Sequence, residues 1–409
     1  MAIALRSAGA YIVVLTSEGP PNFVPKDRHD DSRIWQSIAE CRHLVEAPLN
    51  REKVRSLRMG LKYRTLTWAR WVDGVVQHAK VLHSQRSFDV VYSRSLPAIA
   101  HTAGYWCSGA LRLPWIANIN DPWDLHLFPG RAVAKSLSET VASNYWLRKT
   151  IRNADAVTYP SQRLSDFHAR IAGIQHEHKS HIIPHVGGYP EQNAAAPVSG
   201  FVLVHAGRLG MNELTSRPVK GLLNGLARFL ALHSDARSVT RLVLVGPEDQ
   251  EALAKARELG LDSIVSSTGR VSYQDSLKFI GSAAACVLVE AEMTEGIYLP
   301  SKLAEYVSAR KPVLALSPRV GTVADMASDK GIIRVDLLDE EAVSGALARL
   351  YWAYRSGPLR EYAPSEELVT RFKPETVAKK FLAVVDQVLR QRARKVLKTP
   401  SPKPLTVMS

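Results

Sequence analysis

A chain of 409 residues is too long for one ordinary hydrophobic core and suits two domains, and 46% hydrophobic with 22% charged residues is the composition of a folded globular protein. Three scattered cysteines, Cys41, Cys107 and Cys286, without a CxxC pair or a nearby histidine cluster, exclude a disulfide framework and a zinc site and fit a reducing compartment. The formal charge of +14 asks for an anionic partner or a solvated basic surface; without zinc-finger spacing or an RNA-binding aromatic signature, nucleic acid is not the expected partner.

The opening stretch, MAIALRSAGAYIVVLTSEGPP, lacks the basic, apolar, small-residue order of a signal peptide. No run approaches the roughly 20 apolar residues that span a bilayer. Ala2–Ser17 reads as the end of a helix followed by a strand, YIVVLTS. A doubly wound domain ordinarily opens with a strand and a glycine-containing loop, so an earlier strand is expected elsewhere or ahead of Met1. Arg51–His83 mixes basic residues with Leu57, Leu61, Leu66, Trp68, Trp71 and Val75. It is either a basic amphipathic segment that docks on an anionic bilayer or a domain helix with a cationic solvent face.

FDVVYSRS (Phe88–Ser95), LPWIANINDPW (Leu113–Trp123) and ADAVTYPS (Ala154–Ser161) are short, β-branched and ended by polar residues, the pattern of buried parallel strands. HIIPHVGG (His181–Gly188) adds a short strand and a glycine turn, and EQNAAAPVSG (Glu191–Gly200) reads as a linker. The alternation then restarts. FVLVHAGRL is a strand, GLLNGLARFLALH a helix, RLVLVGPED a strand; ELGLDSIVSSTGRV leads into a helix and AACVLVE is a strand. GIYLPSKLAEYVSARKPVLAL gives a helix running into a strand, and a last helix covers Ala378–Arg390. RARKVLKTPSPKPLTVMS is basic, proline-rich and expected to be disordered.

The expected fold is α/β, two tandem Rossmann-like domains facing a cleft, with the terminal helix crossing back. The expected boundaries are 1–190 and 201–377 for the domains, 191–200 for the linker, 378–392 for the terminal helix and 393–409 for the tail. Ligands of open α/β sheets bind at the carboxyl ends of strands, so functional residues are expected in the loops after VLVHAG, VLVGPED and CVLVE.

Two stretches carry chemistry. HAGRLGMNELTSRPVKG ends a strand in a glycine-rich turn at Gly207 and brings Arg208, Arg217 and Lys220 toward the next helix. Backbone N–H groups, a helix start and cations together suit a diphosphate, although Arg217 reads as solvent-facing. In PSKLAEY, Pro300 opens a helix and is followed by Ser301, Lys302 and Glu305. A lysine set against the helix dipole points to an anion. The Glu305 carboxylate can accept two hydroxyl hydrogen bonds from a ribose diol, or it serves only its own helix start. Asp121 either meets a substrate in the cleft or caps a loop; His126 follows it closely; His185 and His205 read as strand-end packing residues.

On these residues the chain resembles the family 4 type of nucleotide-sugar glycosyltransferases of the two-domain GT-B fold, most nearly the bacterial members that build surface polysaccharides. DVVYSRSLPAIAH, LPWIANINDPW, ADAVTYPS and IIPHVGG look like its N-domain landmarks, and HAGRL, RLVLVGPED, GRVSY and PSKLAEYVSARKPVLAL like its C-domain ones. The resemblance implies a cytoplasmic glycosyltransferase, peripheral on the inner face of the plasma membrane, that moves a hexose from a nucleoside-diphosphate sugar to a glycan or lipid-linked acceptor. It implies retention of anomeric configuration, with no metal and no cofactor beyond the donor. Arg208, Lys220 and Lys302 would then stabilise the leaving diphosphate. Gly207, Gly269, Arg270, Glu295, Gly296, Ser301 and Glu305 would bind the donor, with Glu305 on the ribose. Asp121, Trp123 and His126 would lie on the acceptor side.

The chain departs from the pattern in the wide spacing of Glu295 and Glu305, in Arg310 at a place often held by glycine, in Asn120 before Asp121, and in the distance of Lys220 from Arg208. Two other readings share the architecture: a nucleotide-sugar epimerase, and a catalytically impaired nucleotide-sugar-binding protein.

Overall fold

The computed structural model describes residues 1–16, 41–45, 57–65, 68–95, 97–123, 137–188, 200–209, 217–357 and 359–398. In the N-terminal domain, β1 (Val14–Thr16) pairs in parallel with β2 (Arg42–Leu44). A separate parallel sheet has the order β3 (Val91–Arg94), β4 (Trp115–Asn118), β5 (Ala156–Tyr159), β6 (Ser180–Ile182). Every residue of WIAN and AVTY is buried, because helices cover both faces of the sheet. Those helices are α1 (Ala2–Ser7), α2 (Leu57–Tyr63), α3 (Ala69–Gln85), α4 (Ile99–Leu111), α5 (Leu137–Asn153) and α6 (Gln162–Ala172). The Ser161 hydroxyl caps α6 by accepting from the Leu164 N–H.

Most of the basic amphipathic stretch lies in α2 and α3; residues 51–56 and 66–67 lie outside the described residues. Trp71, Val72, Val75 and Val76 of α3 are buried with Ala103 and Cys107 of α4, so the apolar side of that helix belongs to the domain core. Leu61 of α2 is exposed.

The C-terminal domain has one parallel sheet of order β12-β11-β10-β7-β8-β9, the doubly wound arrangement. Its strands are β7 (Phe201–Ala206), β8 (Thr240–Val245), β9 (Val265–Ser267), β10 (Ala285–Val289), β11 (Val313–Leu316) and β12 (Ile332–Val335). Alternation along β7 divides the core. Phe201 and Leu203 pack with α7 (Val219–Leu232) and α12 (Glu340–Ser356). Val202, Val204 and Ala206 pack with α9 (Tyr273–Ser282), α10 (Ser301–Ser308) and α13 (Glu366–Phe372). Two shorter helices, α8 (Gln250–Glu258) and α11 (Thr322–Asp325), complete the domain. SIVSSTGRV contributes β9 before its helix begins.

The terminal helix, α14, spans Pro374–Lys398, longer than the expected 378–392. Its Val377, Ala378, Phe381, Val384 and Val388 share a cluster with Ala4, Leu5, Ile116 and Ala156, so it closes the core of the N-terminal domain. Among the described residues, no helix is long and apolar enough to cross a membrane.

Candidate functional site

The chain crosses to opposite sides of the sheet after β7 and β10, which opens a crevice at their carboxyl ends. β7 ends in His205, Ala206 and Gly207. Gly207 has φ +97° and donates its N–H to the Val245 carbonyl at 2.7 Å. A Cβ on the neighbouring Gly246 would lie 3.1 Å from the Gly207 backbone, so glycine there allows the two loops to touch.

Lys302, second in α10, points into this turn. Its Nζ lies 3.3 Å from His205 Nε2, and a Cβ on Gly207 would be 3.2 Å from it. The Nδ1–H of His205 donates to the Val287 carbonyl at 2.9 Å, which leaves Nε2 to accept from the lysine. Burial, and then the lysine charge, hold His205 neutral with a pKa well below the usual range. The Lys302 ammonium is itself lowered from 10.5 to about 7, first by burial and then by Arg217, with Glu305 opposing. Glu305, one turn further along α10, hydrogen-bonds Tyr273; burial raises its pKa against the pull of Tyr273 and Lys302.

Arg217, expected to face water, is half-buried in this cluster and donates to the Arg208 carbonyl at 3.0 Å. Burial lowers its pKa, with Glu290 and Tyr298 opposing and Arg208 adding to the fall. Glu290 follows β10 directly and was not singled out in the sequence, although it is the last residue of CVLVE. It is buried, and its Oε2 has no hydrogen-bond partner among the described residues. Burial pushes its pKa from 4.5 to about 8 in spite of Arg217 and Arg334. Burial raises the Tyr298 pKa, with Asp121 and Glu290 adding to the rise and Arg217 opposing it. Burial raises the pKa of Asp121, with Arg94 opposing.

The remaining candidates are dispersed. Arg208 and Ser301 are exposed beside the cluster, and Arg270 is exposed next to Gly269, whose carbonyl accepts from Gly246 at 3.2 Å. Lys220 is exposed in the first turn of α7, with no ion pair to the described residues. The Glu295 carboxylate is committed to Arg163 at 2.8 Å and Arg170 at 3.3 Å, both on α6 of the opposite domain. Gly296 donates to the Val320 carbonyl at 2.8 Å and is wedged against Gly321, 3.5 Å from Glu290 Oε2 at its Cβ position. Trp123 is 2% exposed, stacks on His101 at 5.1 Å and donates its N–H to His168 Nε2 at 3.1 Å. Trp123 is therefore a core residue, whereas Asp121 beside it is only half-buried. His126 lies outside the described residues. His185 is held neutral by burial, with a pKa lowered to about 4. Among the described residues no group of three or more His, Cys, Asp or Glu could hold a metal ion.

Residues 200–352 match the family described as glycosyl transferases group 1. The matched stretch is the C-terminal domain, which carries Lys302, Arg217, Glu290 and Glu305. No curated protein matches the chain in sequence. Among solved structures, sucrose-phosphate synthase from Thermosynechococcus elongatus superposes with a TM-score of 0.55 at 15% identity, over 97% of this chain and 90% of that one. Anabaena HepE, in complex with UDP-glucose, gives 0.54 at 15% identity over 89% and 88%. A Listeria monocytogenes protein described as a UDP-N-acetylglucosamine 2-epimerase gives 0.55 at 10% identity over 95% and 92%. At such identities the likeness is one of fold, the GT-B pair of facing Rossmann-like domains.

Proposed function

We propose that the chain is a glycosyltransferase of the family 4 type that takes a hexose from a nucleoside-diphosphate sugar and passes it, with retention and without a metal, to a glycan or lipid-linked acceptor. One observation carries the reading. At the switch point of the group 1 domain, Lys302 and Arg217 are both half-buried, burial and then the Arg217 charge lower the Lys302 pKa, and neither cation has a carboxylate within ion-pair distance among the described residues. Two cations held out of water in that way are short of an anion, and a diphosphate supplies it.

In this reading the pyrophosphate lies against Lys302 and Arg217, and Glu305 on the same helix as Lys302 accepts the two ribose hydroxyls. As the acceptor oxygen bonds to the anomeric carbon, the bond from that carbon to the phosphate oxygen breaks. The acceptor proton passes to the departing phosphate on the same face. The cations stabilise the charge that develops there, in a cleft that closure would dry. Asp121, on the facing domain, is placed for the acceptor side.

Incubation with UDP- and GDP-sugars, with and without oligosaccharide or lipid-linked acceptors, tests the reading. Free nucleoside diphosphate that accumulates only with acceptor is the expected result. An altered sugar without acceptor would assign the chain to the epimerases, whose fold it shares. Binding without turnover for every pair would leave a sugar-nucleotide-binding protein.

A further inference from the structure

Glu290 follows the last residue of β10 and donates its N–H to the Leu316 carbonyl at 2.9 Å, which fixes its backbone at the carboxyl end of the sheet. The residue is 4% exposed, and its carboxyl group has no ion-pair partner among the described residues. Glycines bring the chain over it. A Cβ on Gly321 would stand 2.7 Å from the Gly296 Cα, and one on Gly296 would stand 3.5 Å from Glu290 Oε2. Arg217 and Arg334 are the cations whose charge Glu290 feels, yet both are turned to other partners. Arg217 donates to the Arg208 carbonyl at 3.0 Å, and Arg334 to the Ser317 carbonyl at 3.0 Å and to Asp336. A buried polar group without a partner is costly, and where a fold keeps one a bound species or a function accounts for it.

β7 and β10 pair at Leu203 with Ala285 and at Val204 with Cys286. Beyond those pairs the His205 ring spans to the Val287 carbonyl at 2.9 Å, and the two strands run out into the crevice. Lys302 and Arg217 stand at the β7 lip, Lys302 against His205 and Gly207, and Arg217 at the Arg208 carbonyl. Glu290 stands at the β10 lip. An anion laid between the lips meets two cations on one side and this carboxyl group on the other. Ionised, the carboxyl would repel the anion and draw on Arg217; neutral, it has a proton to donate. Oε2 is the oxygen shut under Gly296, which leaves Oε1 to carry that proton. Burial favours the neutral form and pushes its pKa up to about 8 against Arg217 and Arg334.

Resting on the reading of this crevice as a diphosphate site, we propose that Glu290 is its third donor: the un-ionised carboxyl group hydrogen-bonds a phosphate oxygen through Oε1, opposite Lys302 and Arg217. Diphosphate binding then draws a proton to Glu290 as well as to Lys302, and a medium alkaline enough to ionise Glu290 weakens the complex. Around Glu290 the guanidinium groups of Arg217 and Arg334 stay charged, and Asp336 pairs with Arg334. Burial keeps the Tyr298 phenol and the His205 ring neutral. Among these groups, Lys302 and Glu290 are therefore the ones that change charge between about pH 7 and 9.

The test titrates UDP and GDP, which carry no sugar, into the native chain, Glu290→Gln and Glu290→Ala by calorimetry. Two buffers of different ionisation enthalpy, each across about pH 7 to 9, give the protons taken up. Near pH 8 the native chain is expected to take up about 0.5 proton more per nucleotide than Glu290→Gln, the share of carboxyl groups then ionised; Lys302 supplies the rest in both. From about pH 7 to 9 the native affinity is expected to fall about tenfold further than that of Glu290→Gln, whose amide still donates and cannot ionise. At the lower pH Glu290→Gln is expected to bind nearly as the native chain does, and Glu290→Ala roughly tenfold more weakly. Equal proton uptake in the native chain and Glu290→Gln, or alanine binding as well as glutamine, overturns the proposal and leaves the diphosphate reading standing. Should Glu290→Ala not fold, the proton count and pH profile of Glu290→Gln decide. A native chain that binds neither nucleotide overturns both.

Discussion

Glu290 has a buried carboxyl group with one oxygen unpartnered among the described residues, and its proton is retained over a pH range in which an unfolded chain has lost its own. The folded-state pKa is raised, so stability from this position is full below the unfolded value of 4.5 and declines as pH rises to about 8. Glu290→Gln keeps the shape of the neutral acid and removes the titration. Urea midpoints across that range are expected to fall for the native chain and to fall less for the variant; parallel curves would show that Glu290 is ionised in the fold. Lys302 and Glu305 were legible in the sequence because a Pro-Ser-Lys turn fixes which residues open a helix at the end of a buried strand. Arg217 and Glu290 were not. Arg217 owes its place to a hydrogen bond back to the Arg208 carbonyl, nine residues earlier, and no spacing rule encodes such a return. Glu290 looks in sequence like the polar end of any strand, and only the burial made by Gly296 and its surroundings distinguishes it.

At the scale of elements, strands buried on both faces announced themselves as apolar runs, whereas β2, β9 and β12 did not. Each has three or four residues, and RHL and VSS carry too little apolar character to stand out from a loop. Helix ends show a similar limit. α4 ends at Arg112, which has φ +56° and is exposed at a position where glycine is favoured. The left-handed conformation costs an L-residue about 1 kcal/mol or more, while glycine gives part of that back through greater freedom in the unfolded chain. Arg112→Gly is therefore expected to stabilise the chain by roughly 0.5 kcal/mol. A urea midpoint that rises at constant slope confirms this, and a lower midpoint refutes it. Arg310, the other departure from a glycine pattern, has φ +58° but forms a two-pronged pair with Glu366, so its replacement forfeits a contact as well as strain.

At the scale of the whole molecule, the two domains are tied at several points. The Ser161 hydroxyl donates to the Ile297 carbonyl at 2.8 Å, and Arg163 binds both Glu295 and Asp325 across the cleft. Gly187 leaves the N-terminal domain so close to α10 that a Cβ there would overlap the Ser308 hydroxyl at 1.8 Å. With α14 returning to the first core, these contacts hold the two domains against one another. The strand–helix alternation predicted two facing domains, but Glu295 and Arg163 are 132 residues apart, and their pairing exists only once both domains are folded. The excess of 53 lysines and arginines over 39 acidic residues adds a long-range pull on an anionic donor that salt would weaken.

Calorimetric titration of UDP or GDP into the native chain and into Lys302→Met, below and above the pH of about 7 at which Lys302 loses its proton, tests the cationic pocket most directly. The native chain is expected to bind the diphosphate more weakly at the higher pH, since the anion favours charged lysine, and the variant to bind it roughly 10- to 100-fold more weakly while unfolding at no lower temperature. Equal affinity in the two proteins, or an affinity indifferent to pH in the native chain, would contradict a diphosphate held by Lys302.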